Sequence, residues 1–248
     1  MLFPKGPLAS RPCRPVQSAI TMNRRLFLRT AGLASLACMT GCASGRIDAS
    51  KYKGPIKVAC VGDSITYGAG VEDREKNSYP RVLGQLLGER FDVWNFGVNG
   101  ATLLAHGDNP WRFTPQFNAA LGLRPDVVVI KLGTNDSKPQ NWIRSLSFED
   151  DLEALIDDFK GLPSRPKIFL CLPVPAYEVR WGINEATING GVIPAIRAVA
   201  KRRRLPVIDL HSALAGQAAL FPDRIHPDAR GARLIAETVK ARLLGIPK

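Results

Sequence analysis

The stretch KVACVGDSITYGAG, residues 57–70, decides the fold. Apolar residues run from Val58 to Val61 and into Gly62-Asp63-Ser64, with Ile65-Thr66-Tyr67-Gly68 behind them. An unbroken apolar run that stops on a glycine reads as a strand buried on both faces. In open α/β sheets ligands bind beyond the carboxyl ends of the strands, so a serine at that end faces the working edge. Gly62 and Gly68 permit a tight turn and a close backbone approach. The competing reading is an ordinary polar turn in which Ser64 caps a helix.

The same alternation extends along the chain. Strands are expected over 56–61, 91–96, 126–132, 167–172 and 206–210. Helices are expected over 78–90, 115–121, 148–160, 189–203 and 227–244. Val82, Leu83, Leu86 and Leu87 mark one apolar face of the first helix. Ser147, with Asp150 three residues on, approximates a capping box. DVVVIKL, residues 126–132, is the most continuous apolar run and belongs at the centre of the sheet. Strands alternating with helices through five units predict an α/β protein with a parallel sheet covered on both faces.

Composition narrows the function. The formal net charge is +12, but residues 1–51 hold eight of the 34 Lys and Arg and one of the 22 acidic residues. The excess is mostly targeting sequence, and no nucleic-acid partner is expected. Residues 22–42, MNRRLFLRTAGLASLACMTGC, show the basic, apolar and small-residue order of an export signal, too short to span a bilayer. Arg24-Arg25 resembles a twin-arginine signal, and Met39-Thr40-Gly41-Cys42 a bacterial lipobox with Cys42 as the lipidation site. Met22 is the expected start. The domains expected are 1–42 (extension and signal), 43–54 (linker) and 55–248 (the folded domain). The expected location is the periplasm or, through a lipid on Cys42, a bacterial membrane surface. Lys201-Arg202-Arg203-Arg204 closes a helix and complements its dipole. Cys60 and Cys171 fall in strand patterns as small core side chains. A mature region of about 200 residues suits one domain with a sizeable core. Oligomeric state is not legible.

The polar residues at the strand ends carry the chemistry. Ser64 can serve as a nucleophile. His226 lies in FPDRIHP, residues 221–227, where Asp223 can accept from one ring nitrogen while the other faces Ser64. The alternative leaves Asp223 and His226 as solvated turn residues. Gly100, in NFGVNGAT, offers an unobstructed N–H, and Asn135, in GTND, a side-chain NH₂, both suited to an oxyanion. A turn glycine and a cap are their competing readings. Asp136 reads as a turn or helix-start residue. His211 reads as structural and His106 as a surface-loop residue. Trp111 and Trp142 follow these blocks, where an aromatic face could stack on a sugar ring; core or rim packing competes with that reading.

Together GDSIT, NFGVNGAT, GTND and DRIHP, in that order at the strand ends, resemble the SGNH or GDSL hydrolase family from about residue 57 onward. The resemblance implies a three-layer, flavodoxin-like sheet in the order 2-1-3-4-5. It implies Ser64 as nucleophile, His226 as base and Asp223 as its orienter. The backbone N–H groups of Ser64 and Gly100 and the Asn135 side chain would form the oxyanion hole. Asn99 departs from the serine many members carry before the glycine. The implied reaction is cofactor-free and metal-free hydrolysis of a small-molecule or polysaccharide ester, read here as a carbohydrate O-acetyl ester. A lysophospholipase or thioesterase-type acylhydrolase and a sugar O-acyltransferase are the alternatives.

Overall fold

Val127–Lys131 (β3) is buried along its whole length, because it is the middle of the sheet and has helices on both faces. The computed structural model describes residues 45–246. The export signal, the Cys42 lipidation site and the first two linker residues lie outside them. Ile56–Gly62 (β1) and Lys167–Leu172 (β4) flank β3, Phe91–Gly97 (β2) lies outside β1, and Val207–Asp209 (β5) outside β4. The order is β2-β1-β3-β4-β5 and every pairing is parallel. This is the expected α/β class and strand order.

Side chains alternate across the sheet, as the pleat requires. Ala59, Val61, Val128, Ile130 and Leu170 face one core, closed by the helices Phe148–Lys160 and Ile193–Arg203. Val58, Cys60, Val127, Val129 and Phe169 face the other, closed by Tyr79–Leu87 and Ala229–Leu244. Cys60 and Cys171 are both free and buried within this second core. Burial pushes the Cys60 thiol up to about 12, so it stays protonated and apolar. The edge strand β2 alternates between half-buried and exposed positions until Phe96 and Gly97.

Three expectations change. The segment 45–54 is docked rather than a free tether: Ile47 is buried and its N–H donates to Leu243 O at 2.6 Å. Ser147 forms no capping box, because a 3₁₀ turn over Ser145–Ser147 already holds it at φ −89° and ψ −6°. An N-cap needs extended backbone at that position. The helix expected from 189 begins at Glu185 and passes through a π turn over Ile188–Val192 before Ile193.

Candidate active site

β1 ends at Gly62, where a Cβ would stand 2.0 Å from Thr66 Oγ1 and 2.6 Å from Lys131 O. Only glycine lets the next turn settle this low on the sheet. That turn is the short helix Ser64–Tyr67, and its cap is Asp63, whose carboxylate accepts from Ile65 N at 3.0 Å. Ser64 is therefore the first helical residue and not the cap. Its N–H is one of the unpaired donors at a helix start. The turn rests on a buried ion pair: Lys131 Nζ lies 2.9 and 3.1 Å from the Asp63 oxygens and 2.8 Å from Thr134 Oγ1. Both charged side chains are 0% exposed.

His226 is held in a tight turn anchored by the buried side chains of Phe221 and Ile225. Asp223 Oδ1 accepts from Ile225 N at 2.9 Å and His226 N at 2.6 Å. Asp223 Oδ2 stands 2.8 Å from His226 Nδ1, and His226 Nε2 stands 2.8 Å from Ser64 Oγ. The carboxylate can only accept, so Nδ1 carries the proton and Nε2 presents its lone pair to the hydroxyl. Burial pushes the Asp223 carboxyl up, but the hydrogen bonds from His226 and Ile225 outweigh it and hold it below the usual range. Such a chain of groups can draw a proton from Ser64 Oγ and return it to a leaving group.

The ends of β2 and β3 complete this edge. Val98 N donates to Gly62 O at 3.0 Å, tying the loop after β2 to the Ser64 turn. Gly100 in that loop has φ +73°, a left-handed conformation that favours glycine. Asn135 is buried, and its Nδ2 donates to Ala101 O at 3.0 Å, leaving the second N–H of that amide for a ligand. Asp136 lies in the 3₁₀ turn Asn135–Ser137, as expected, and also holds a neighbouring loop. Its buried carboxylate accepts from Leu103 N at 3.0 Å and Leu104 N at 2.8 Å, so it grips the loop that carries Gly100. Burial pushes Asp136 up to about 7, against the pull of those two N–H groups.

The model of the GDSL-like lipase/acylhydrolase family matches residues 60–234. The chain belongs to this family. It is 40% identical over 206 residues to an acetylxylan esterase of Xylanibacter ruminicola, covering 76% of this chain and 43% of that protein. It is 27% identical over 219 residues to a multidomain esterase of Ruminococcus flavefaciens, covering 73% of this chain and 28% of that one. The chain thus spans less than half the length of both relatives. Among solved structures, a carbohydrate acetylesterase (Est24) of Sinorhizobium meliloti superposes with a TM-score of 0.63 at 17% identity, over 75% of this chain and 97% of that one. A G-D-S-L family protein of Desulfitobacterium hafniense gives 0.60 at 24%, over 75% and 99%. At these identities the likeness is one of fold.

Within this GDSL-family domain the structure brings together Ser64, Asp223 and His226, and seats Gly100 and Asn135 in the loops after β2 and β3, the two strands that flank β1. It corrects the reading of Trp111 as a sugar platform. Trp111 is fully buried, donates Nε1–H to Phe96 O at 2.9 Å and packs edge-on against Phe117. Trp142 is partly buried, packed against Phe148 with centroids 5.6 Å apart and lying over Gly191, where a Cβ would meet its ring at 2.3 Å. His211 Nε2 bonds Glu185 Oε1 at 2.7 Å, and Glu185 Oε2 accepts from Ala176 N, so this pair staples the loop after β4. His106 is exposed. Sequence reasoning missed Trp181, whose ring centroid lies 5.5 Å from that of His226. Among the described residues no cluster of three or more His, Cys, Asp or Glu is placed to hold a metal.

Proposed function

We propose that this chain is a serine esterase that removes an acetyl group from a carbohydrate through an acyl-enzyme. The observation that carries the reading is the continuous hydrogen-bonded chain from Ser64 Oγ through His226 to Asp223, with 2.8 Å at both links of the imidazole. In the proposed cycle Ser64 Oγ attacks the ester carbonyl as His226 Nε2 takes its proton, and Asp223 stabilises the imidazolium. The N–H groups of Ser64 and Gly100 and the Asn135 amide hold the oxyanion. The C–O bond to the alcohol then breaks, and His226 returns the proton to the departing oxygen. Water, activated by His226, attacks the acetyl-enzyme and frees acetate and Ser64. A hydrolytic serine needs no cofactor for these steps.

The choice of a carbohydrate ester draws its support from the 40% identical relative, an acetylxylan esterase. The proposal also places the mature enzyme outside the cytoplasm, supported by the Arg24-Arg25 signal and Cys42. The test is acetate release from acetylated xylo-oligosaccharides. Ser64→Ala is expected to lower kcat by about 10⁶-fold and to abolish labelling by a fluorophosphonate. Full activity in Ser64→Ala would sink the reading.

A further inference from the structure

We infer that Trp181 is the platform on which the alcohol part of the substrate, a pyranose ring, lies during the reaction. The inference rests on the esterase reading above and adds where the sugar sits. Trp181 is 55% exposed at the tip of a hairpin in the loop after β4. Its indole is tilted 47° against the His226 ring, with centroids 5.5 Å apart. The Arg180 guanidinium lies 4.6 Å from its ring centroid and also donates to Asp223 O at 3.3 Å. The aromatic surface is therefore fixed in place before anything binds, which lowers the entropy cost of binding.

The backbone beneath it is strained. Arg180 and Ile183 form an antiparallel bridge, Ile183 N donates to Arg180 O at 2.9 Å, and the two residues between have φ +52° and +81°. That is the pattern of a type I′ turn, whose first position normally holds Asn, Asp or Gly. A bulky aromatic there is an outlier, and such residues persist where the surroundings over-determine them. Buried Ile183 and the bond from Asn184 N to Ser137 Oγ at 3.1 Å clamp the turn on its C-terminal side. The residue is left 55% exposed, so the turn presents its aromatic face to an occupant from outside the fold.

The mechanism names that occupant. His226 Nε2 must reach the leaving oxygen to protonate it, so the alcohol group lies over His226. The surface adjoining His226 on this side is Trp181. A pyranose offers an apolar C–H face to an indole and a rim of hydroxyls to charged groups. Arg180, exposed beside the indole, supplies such a group.

The test compares the parent with Trp181→Gly and Trp181→Phe on acetylated xylotriose, on triacetin, which has an acyclic alcohol, and on phenyl acetate. Glycine is at ease at positive φ, so Trp181→Gly is expected to melt at or above the parent temperature. Its kcat/KM on acetylated xylotriose is expected to fall about tenfold, mainly through KM, and by much more than on triacetin. Trp181→Phe keeps most of the sugar activity. An equal loss on triacetin, a larger loss on phenyl acetate, or a lowered melting temperature in Trp181→Gly overturns the inference. A second readout is independent of turnover: unacetylated xylotriose titrated into Ser64→Ala, followed by tryptophan fluorescence. A saturable change that vanishes in Ser64→Ala/Trp181→Gly supports the platform, and no change in Ser64→Ala overturns it. A fluorescence change without hydrolysis of any ester leaves the platform standing and removes the esterase reading.

Discussion

Replacing Lys131 by Met keeps the length and apolar stem of the side chain and deletes only the ammonium. In the structure that ammonium makes three hydrogen bonds, to both Asp63 oxygens at 2.9 and 3.1 Å and to Thr134 Oγ1 at 2.8 Å. Its three N–H donors are thus all satisfied. The variant leaves the Asp63 carboxylate 0% exposed with Ile65 N–H, at 3.0 Å, as its remaining hydrogen-bond donor. Breaking a buried pair in this way costs about 3–5 kcal/mol, because the cost is that of an uncompensated buried charge. Against a total stability of roughly 5–15 kcal/mol the fold survives, with little margin. With a urea slope of about 3 kcal/mol per M, the midpoint is expected to drop by roughly 1–2 M. Because Asp63 also caps the turn carrying Ser64, kcat is expected to fall with it. The decisive partner is Asp63→Asn/Lys131→Met, which removes both charges and keeps an acceptor for Ile65 N–H. It is expected to recover most of the lost stability, giving a large coupling in the double-mutant cycle. The reasoning is refuted if Lys131→Met unfolds at the parent midpoint, or if the two substitutions add without coupling.

Three further outcomes follow from the site. Burial raises the Asp136 carboxyl to about 7 from an ordinary value of 3.8, so the folded state holds its proton more tightly than the unfolded chain. Its contribution is complete below about pH 4 and is lost as pH rises through about 7. Asp136→Asn removes this dependence, so the parent should lose urea resistance relative to the variant between pH 5 and pH 8; an unchanged difference contradicts the assignment. Asn135→Ala is expected to lower kcat by about 10²–10³-fold with KM within a few-fold, since an oxyanion donor acts on the transition state. A change confined to KM argues against that role. Asp223→Asn should cost about 10⁴-fold in kcat, less than His226→Ala at about 10⁶-fold, because the carboxylate orients and stabilises while the imidazole moves the proton. The reverse order, measured on one acetate ester, contradicts the roles.

Much of the scaffold was legible because it is written in local periodicity. The apolar run of β3 and the glycine that closes β1 each carry their meaning within a few residues. What stayed hidden is non-local. Lys131 falls within the apolar run 126–132, and nothing near it in the chain shows that it is buried against Asp63, 68 positions away. Asp136 reads as a turn residue, because the N–H groups it holds lie 32 and 33 positions away. Trp111 could not be told apart as platform or core residue for a related reason: nearness to a motif does not say which way a side chain points. Trp111 turns into the core, where its N–H finds Phe96 O, whereas Trp181 is exposed by a left-handed turn that its sequence does not announce.

The three aspartates at this edge do one job three times. Asp63 holds Ile65 N–H and with it the turn of Ser64. Asp136 holds Leu103 and Leu104 N–H and with them the loop of Gly100. Asp223 holds Ile225 and His226 N–H, and its second oxygen holds the His226 ring. Hydrogen bonds to an ionised acceptor are roughly twice as strong as neutral ones, so each carboxylate fixes the backbone of a turn that buried side chains such as Ile65, Leu104 and Ile225 anchor to the core. Their environments then set them apart. Asp63 is neutralised by Lys131, Asp223 is partly exposed and held low by its donors, and Asp136 is buried and raised to about 7. The Gly100 loop is accordingly the part of the site whose anchor changes charge near neutral pH. Weakening of the oxyanion contacts below that point, separate from any change in the Ser64–His226 pair, would appear as a fall in kcat that Asp136→Asn abolishes.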